Sequence, residues 1–118
     1  MAAPNVVNVT TITGKTAVGN ATTVAANLVV NAAASGQLYK LNFCQASNYS
    51  ASTVSANVYF QRSSVNYSIA TNISLPTGTT LTIWGKDTAV YLEESDLIQI
   101  QASANSAVTI TSSYEIIA

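Results

Sequence analysis

The feature that most constrains this chain is the spacing of its apolar residues, which recur at every second position through much of its length. Val54, Ala56 and Val58 alternate with polar residues, and the same pattern runs over Val108–Ile116. This period is typical of strands with one buried face. Turn signals recur about every eight to twelve residues, which is typical of an all-β fold. The pattern predicts about eight to ten short strands, packed as an antiparallel β-sandwich of jelly-roll or immunoglobulin-like type.

We expect the 118 residues to form a single domain, 1–118, because neither a linker nor an internal repeat interrupts them. Residues 1–13 are predicted to be an extended N-terminal arm or an edge strand. This strand contains Val6, Val7, Val9 and Ile12 and is expected to end at Gly14. A turn is predicted at Gly19–Asn20.

Local patterns predict several further elements. The alanine-rich segment 31–36 is expected to be a loop, since it is too short to sustain a helix. In the strand predicted over 37–46, the odd positions Tyr39, Leu41 and Phe43 are expected to face the core. The segment 62–66 has the length of a hairpin connection, and Leu75-Pro76-Thr77-Gly78 is a strong turn signal.

Composition excludes several classes of chemistry. The chain has no His and one Cys, so imidazole catalysis, His metal sites, internal disulfides and multi-cysteine metal sites are all impossible. Only 8% of residues are charged, whereas Ser, Thr and Asn occupy 40 of the 118 positions. Four scattered basic residues do not make the positive patch of a nucleic-acid-binding protein. We predict no catalytic residue, no cofactor and no metal site.

Glu93, Glu94 and Asp96 form the one acidic cluster in the sequence. A Ca²⁺-binding corner would use such carboxylates, but no EF-hand spacing is present and no further ligands can be named. The preferred interpretation is a solvated turn between two strands. Cys44 lies within a predicted strand and has no His to lower its pKa, so it is interpreted as a structural thiol.

The six tyrosines could line a sugar-binding surface. Five of them fall in predicted strands, where aromatic residues more often pack in the core or at an interface. Tyr49 is predicted to lie in a loop and is therefore the best candidate for contact with a glycan.

The scarcity of charge indicates assembly with other chains. Ordinary domains protect exposed strand edges with Lys and Glu and keep a mixed charged surface. A surface of Thr, Ser, Asn and Ala is suited to being covered by a neighbour or by a second copy. No secretory signal or apolar run long enough to span a membrane is recognised, so we expect synthesis in a cytoplasm without an export signal.

Several segments resemble a family of small virion structural proteins of tailed phages that infect marine cyanobacteria and other marine bacteria. The resemblance spans most of the chain and is weakest over 22–60. It rests on strand and turn motifs at Met1–Asn5, Val7–Thr16, Leu75-Pro76, Ala89–Asp96, Ala102–Ser106 and Ser113–Ile117. Family members tend to have Gly where this chain has Ser95.

The resemblance implies a non-enzymatic component of the phage particle, assembled in the host cytoplasm and present in many copies. A capsid decoration (cement) protein that binds the shell of the major capsid protein is the first expectation. A neck, collar or tail-associated protein, or a carbohydrate-binding module of a phage fibre, is the alternative. The expected partners are the major capsid protein or other virion proteins and further copies of this chain, with no nucleic acid and no membrane.

Overall fold

A computed structural model describes residues 11–118, apart from the side chain of Lys86. This part of the chain contains nine strands and one short 3₁₀ segment, η1. They are β1 (Ile12–Ala21), β2 (Ala26–Val30), β3 (Leu38–Asn48), β4 (Val54–Arg62), β5 (Val65–Leu75), β6 (Thr80–Trp84), η1 (Lys86–Thr88), β7 (Val90–Leu92), β8 (Leu97–Ala102) and β9 (Val108–Ile117). The predicted all-β fold is confirmed.

The strands form two antiparallel sheets that pack as a sandwich. Sheet A has the order β1-β9-β3-β6, with β7 also paired to β3, and sheet B has the order β2-β8-β4-β5. Successive strands cross from one sheet to the other, except where the β4–β5 hairpin stays in sheet B and β6 and β7 stay in sheet A. The eight strands other than β7 have the strand order of a jelly roll, and β7 is an additional short strand paired to β3. The topology therefore decides between the two sandwich types that the alternation alone left open.

The core lies between the sheets and is built from the inward residues of the central strands. Fully buried aliphatic side chains include Leu41, Val58, Ile98 and Ile110. Burying such side chains contributes about 1.5–3 kcal/mol each. Val54, Ala56 and Val58 are buried as predicted, while Phe60 is partly buried against the same core.

Strand β1 departs from the prediction at both of its glycines. It continues through Gly14 and through Gly19–Asn20, pairing with β9 along its whole described length. A Cβ on Gly19 would lie 3.2 Å from Leu28 Cδ1, so this glycine allows close packing between the sheets rather than a turn. The predicted strand residues Val6, Val7 and Val9 lie outside the described residues.

In strand β3 a β-bulge changes which alternate residues face the core. The pairing with β9 shifts between Leu41 and Phe43, so Asn42 is an extra residue. Leu41 is buried as predicted, but after the bulge the even positions face the core and Cys44 and Ala46 are buried instead. The expectation that Phe43 faces the core was therefore wrong, because it pairs with Ser113 on the outer side of the sheet.

The turns predicted at 62–66 and after Leu75 are confirmed, although serines occupy the first at an unfavourable backbone conformation. Ser63 and Ser64 form a two-residue hairpin turn between Arg62 and Val65, and their φ angles are 53° and 63°. Two positive φ angles define the turn that suits a hairpin, although Asn and Gly usually occupy it. Gly78 also has a positive φ, in the predicted turn after Leu75. Segment 31–36 forms a loop, as expected.

Candidate contact surfaces

The acidic corner between β7 and β8 is organised around Arg62 at the end of β4. The guanidinium donates to both carboxylate oxygens of Asp96, from Nε at 2.9 Å and from Nη2 at 2.6 Å. It also reaches Glu93 at 2.7 Å. Asp96 is almost fully buried and accepts a further bond from the backbone N–H of Glu93. The corner is therefore a braced strand connection, with a cation already present in the form of Arg62.

Glu94, the third acidic residue, serves a different loop. Its carboxylate accepts a hydrogen bond at 2.8 Å from the backbone N–H of Gly36. An open cleft of about 350 Å³ remains beside Arg62 and the three acidic residues. Within residues 11–118, no three Asp, Glu, Cys or His side chains converge closely enough to hold a metal ion.

Cys44 is enclosed in the core. Its side chain is fully buried, and this burial raises the pKa of the thiol to about 12. Since the thiolate is the nucleophilic form, a thiol with this pKa is unreactive at neutral pH. The side chain of Arg62 has its own pKa raised, first by the hydrogen bond to Asp96.

The tyrosines divide into packed and exposed groups. Tyr39 and Tyr114 stack with ring centroids 5.4 Å apart, and burial raises the pKa of Tyr114. Tyr67 and Tyr91 lie in strands but are 57% and 44% exposed, so not all strand tyrosines are core residues. Tyr49 lies in a loop, as predicted, and is 52% exposed.

The outer face of sheet B is covered by amide side chains that bond to one another. Gln99 donates to Asn27, Asn66 donates to Gln99, and Gln61 donates to Asn66, at 2.8–3.0 Å. A second group joins Asn57 and Tyr59, which both donate to the side-chain oxygen of Gln101. These bonds hold the amides in a flat, uncharged array. The sequence offered no signal for this face beyond its high Asn content.

The outer face of sheet A is also largely neutral and carries hydroxyl groups. Cross-strand registers place Val18, Thr111 and Gln45 side by side, and Asn20, Thr109 and Ser47 in the next row. Thr109 donates to Asn20 at 2.8 Å, and Thr80 donates to Ser47 at 3.1 Å. The charged residues on this face lie at one end of the sheet, where Lys40 of β3 is opposite Glu115 of β9 in the strand register.

Within residues 11–118, two of the sheet edges are long and carry little charge. Strand β1 ends sheet A on one side and contains a single charged residue, Lys15. Strand β5 ends sheet B, is eleven residues long and contains no charged residue. Val65, Tyr67 and Ile69 on β5 are 48%, 57% and 38% exposed. Long edge strands without charge are available for pairing with another chain.

Comparison with known proteins finds no matching family and no curated protein of significantly similar sequence. No helix in the described part of the chain is long and apolar enough to cross a membrane.

Proposed function

We propose that this protein is a non-enzymatic structural subunit of a tailed-phage particle, and in particular a capsid decoration protein that binds the major capsid protein shell. The observation that carries the proposal is the combination of two largely neutral outer faces with two long edge strands that together hold one charged residue. Such surfaces act by close packing and neutral hydrogen bonds, and many weak contacts add up when a subunit is present in many copies. The choice of a phage particle as the assembly rests on the resemblance of the strand and turn motifs to small virion proteins.

Two further observations support a structural role. The jelly-roll architecture is shared by viral capsid domains and by lectins, so it is compatible with the proposal as an analogy of fold. Three of the side chains that the sequence singled out are engaged within the fold: Cys44 is buried, and Asp96 and Glu93 are paired with Arg62. Under this proposal the protein is located in the virion, its partners are the major capsid protein and further copies of itself, and neither nucleic acid nor a membrane is required.

The test is electron cryomicroscopy of intact particles of a phage that encodes this chain. Copies in the hundreds on the shell surface are expected of a decoration protein. A closed ring of about five to twelve copies would instead place it at the neck or tail. Absence of the chain from purified particles would overturn the proposal.

A carbohydrate-binding module is the second candidate, because Tyr49 offers an exposed ring at a loop. A glycan array separates the two functions. Specific binding of one glycan class, lost in Tyr49→Ala and kept in the control Tyr91→Ala, would favour the fibre module. Tyr91 is a suitable control because it has similar exposure but lies on a strand.

A further inference from the structure

Strand β5 has no neighbouring strand on one side within residues 11–118, and we call this side the β5 edge. It is uncharged and exposes apolar side chains, which is typical of an edge that pairs with another strand. Its first half, Val65–Ile69, is exposed on both faces of the sheet. Tyr67 pairs with Phe60, which packs on the core, so its ring projects from the core side of sheet B. Sheet A makes few contacts with β5, and the Tyr67 ring stays more than half exposed. An isolated domain gains nothing from an exposed Val, Tyr and Ile in one short edge segment.

The hairpin turn determines which backbone groups of this segment are unpaired. In a two-residue hairpin the residues that flank the turn form a hydrogen-bonded pair, which here is Arg62 and Val65. The bonding alternates, so Val65 and Tyr67 direct their backbone N–H and C=O groups toward β4. Asn66 and Ser68 direct theirs away from the sheet.

We propose that the β5 edge is the contact through which two copies of this protein pair antiparallel around a two-fold axis at Tyr67. The occupant is a second copy, because an antiparallel edge is its own complement under two-fold rotation. Asn66 of one copy then exchanges both backbone hydrogen bonds with Ser68 of the other. The two Tyr67 side chains meet in the close, non-hydrogen-bonded pair on the axis.

Charge and strand geometry agree with this choice of partner. A two-fold axis places like residues near one another, and like charges directly opposite are destabilising. The eleven residues of β5 contain no charge, so self-pairing has no such cost, whereas the other long edge strand contains Lys15. The register shifts with β4 between Ala56 and Tyr59 place bulges in β5 at Ile69 and beyond Ala70. We therefore confine the hydrogen-bonded pairing to Asn66–Ser68.

The contact would join sheet B of the two copies into one continuous sheet. This inference rests on the proposed function, because it names the surface through which copies of the structural subunit contact one another. The dimer contact is nevertheless tested on the purified protein, in the absence of a particle. Loss of the dimer would leave binding to a shell to be measured separately. The two proposals can therefore fail independently.

The first experiment measures the monomer–dimer equilibrium by sedimentation over a concentration series. Ser68→Pro removes the outward N–H, and the matched control Ser68→Ala removes the hydroxyl alone. Each dimer would lose two hydrogen bonds in Ser68→Pro, so we expect its dissociation constant to rise at least about fivefold over that of Ser68→Ala. A wild-type protein that stays monomeric, or equal dimerisation of the two variants, would overturn the proposal.

A second experiment tests the register and does not depend on how well the proline variant folds. Tyr67→Cys places two sulfurs across the axis within disulfide reach, whereas Ser68→Cys places them on a longer diagonal. Mild oxidation should crosslink Tyr67→Cys and leave Ser68→Cys largely monomeric on a non-reducing gel. The native Cys44 is fully buried and does not compete. Equal crosslinking of both variants, or none in Tyr67→Cys, would contradict the pairing.

Discussion

At the scale of single residues, two buried asparagines hold the loops at opposite ends of β3. Asn48 donates to the carbonyls of Ser52 and Leu75 and accepts from the N–H and hydroxyl of Ser50. Asn31 donates to the carbonyls of Gln37 and Leu92. Both side chains form hydrogen bonds with backbone groups that have no backbone partner in the loops. Removing either side chain would leave these buried groups without a partner and destabilise the folded state.

Replacing Asn48 with Ala should lower the free energy of unfolding by about 2–4 kcal/mol, because buried carbonyls lose their donors. Denaturant titration measures this as a lower midpoint. The control is Asn27→Ala, an exposed amide on the outer face of sheet B, which should change stability by less than about 0.5 kcal/mol. Equal effects at the two positions would show that Asn48 does not brace the loops.

The buried thiol predicts a specific dependence on pH. The pKa of Cys44 rises from 9.0 to about 12 on folding, so between these values the unfolded chain loses its proton first. The contribution of the thiol to stability is complete below pH 9 and declines as the pH approaches about 12, by up to about 1.4 kcal/mol per pH unit.

Cys44→Ala lacks this group, and its stability should therefore fall less steeply than that of the wild type over the same range. Urea titrations of both proteins, from neutral pH to the highest pH at which unfolding is reversible, measure the two slopes. The other ionisable groups are present in both proteins, so their contributions cancel in the comparison. Parallel slopes would refute the assignment.

At the scale of elements, bulges and turn conformations decide which residues each strand presents. The bulge at Asn42 moves Phe43 to the outer face and Cys44 to the core. Trp84 Nε1 donates to the carbonyl of Leu41 at 3.2 Å, directly before this bulge. Ser64 and Ser95 carry positive φ angles of 63° and 74°, which side chains disfavour.

Replacing Ser64 or Ser95 with Gly should therefore stabilise the protein by about 0.5–1 kcal/mol, the left-handed strain less the added entropy of the unfolded chain. Thermal unfolding measures the gain. Ser74→Gly is the matched control, since Ser74 is an exposed strand residue outside the positive-φ set. That variant should lose about 0.5–1 kcal/mol. A loss at all three positions would contradict the argument from backbone conformation.

At the scale of the whole molecule, the Arg62 ion pairs stabilise the fold, whereas the surfaces proposed for association carry little charge. Arg62 holds Asp96 and Glu93 within one copy of the chain, while β5 is uncharged, β1 has only Lys15, and much of the outer faces is neutral. Contacts made through such surfaces depend little on screening by salt.

We therefore expect the proposed self-association, and the proposed binding to a capsid shell, to change by less than about threefold in affinity between about 50 and 500 mM NaCl. Sedimentation measures the first and co-sedimentation with empty shells the second. A loss of tenfold or more over this range would mean that charged residues such as Lys15, Lys40 or Glu115 lie in the contact.

Alternation and turn chemistry in the sequence alone determined the all-β class, a strand number close to that observed, and most inward positions of β4 and β9. These are local properties, since the period of two follows from the backbone of a single strand. Tertiary structure decided the jelly-roll order, the reversed parity after Asn42 and the role of Gly19, because each depends on a partner distant in sequence. It also brought Arg62 to the acidic corner and placed β5 at the end of its sheet among the strands of residues 11–118, which no pattern along the chain could indicate.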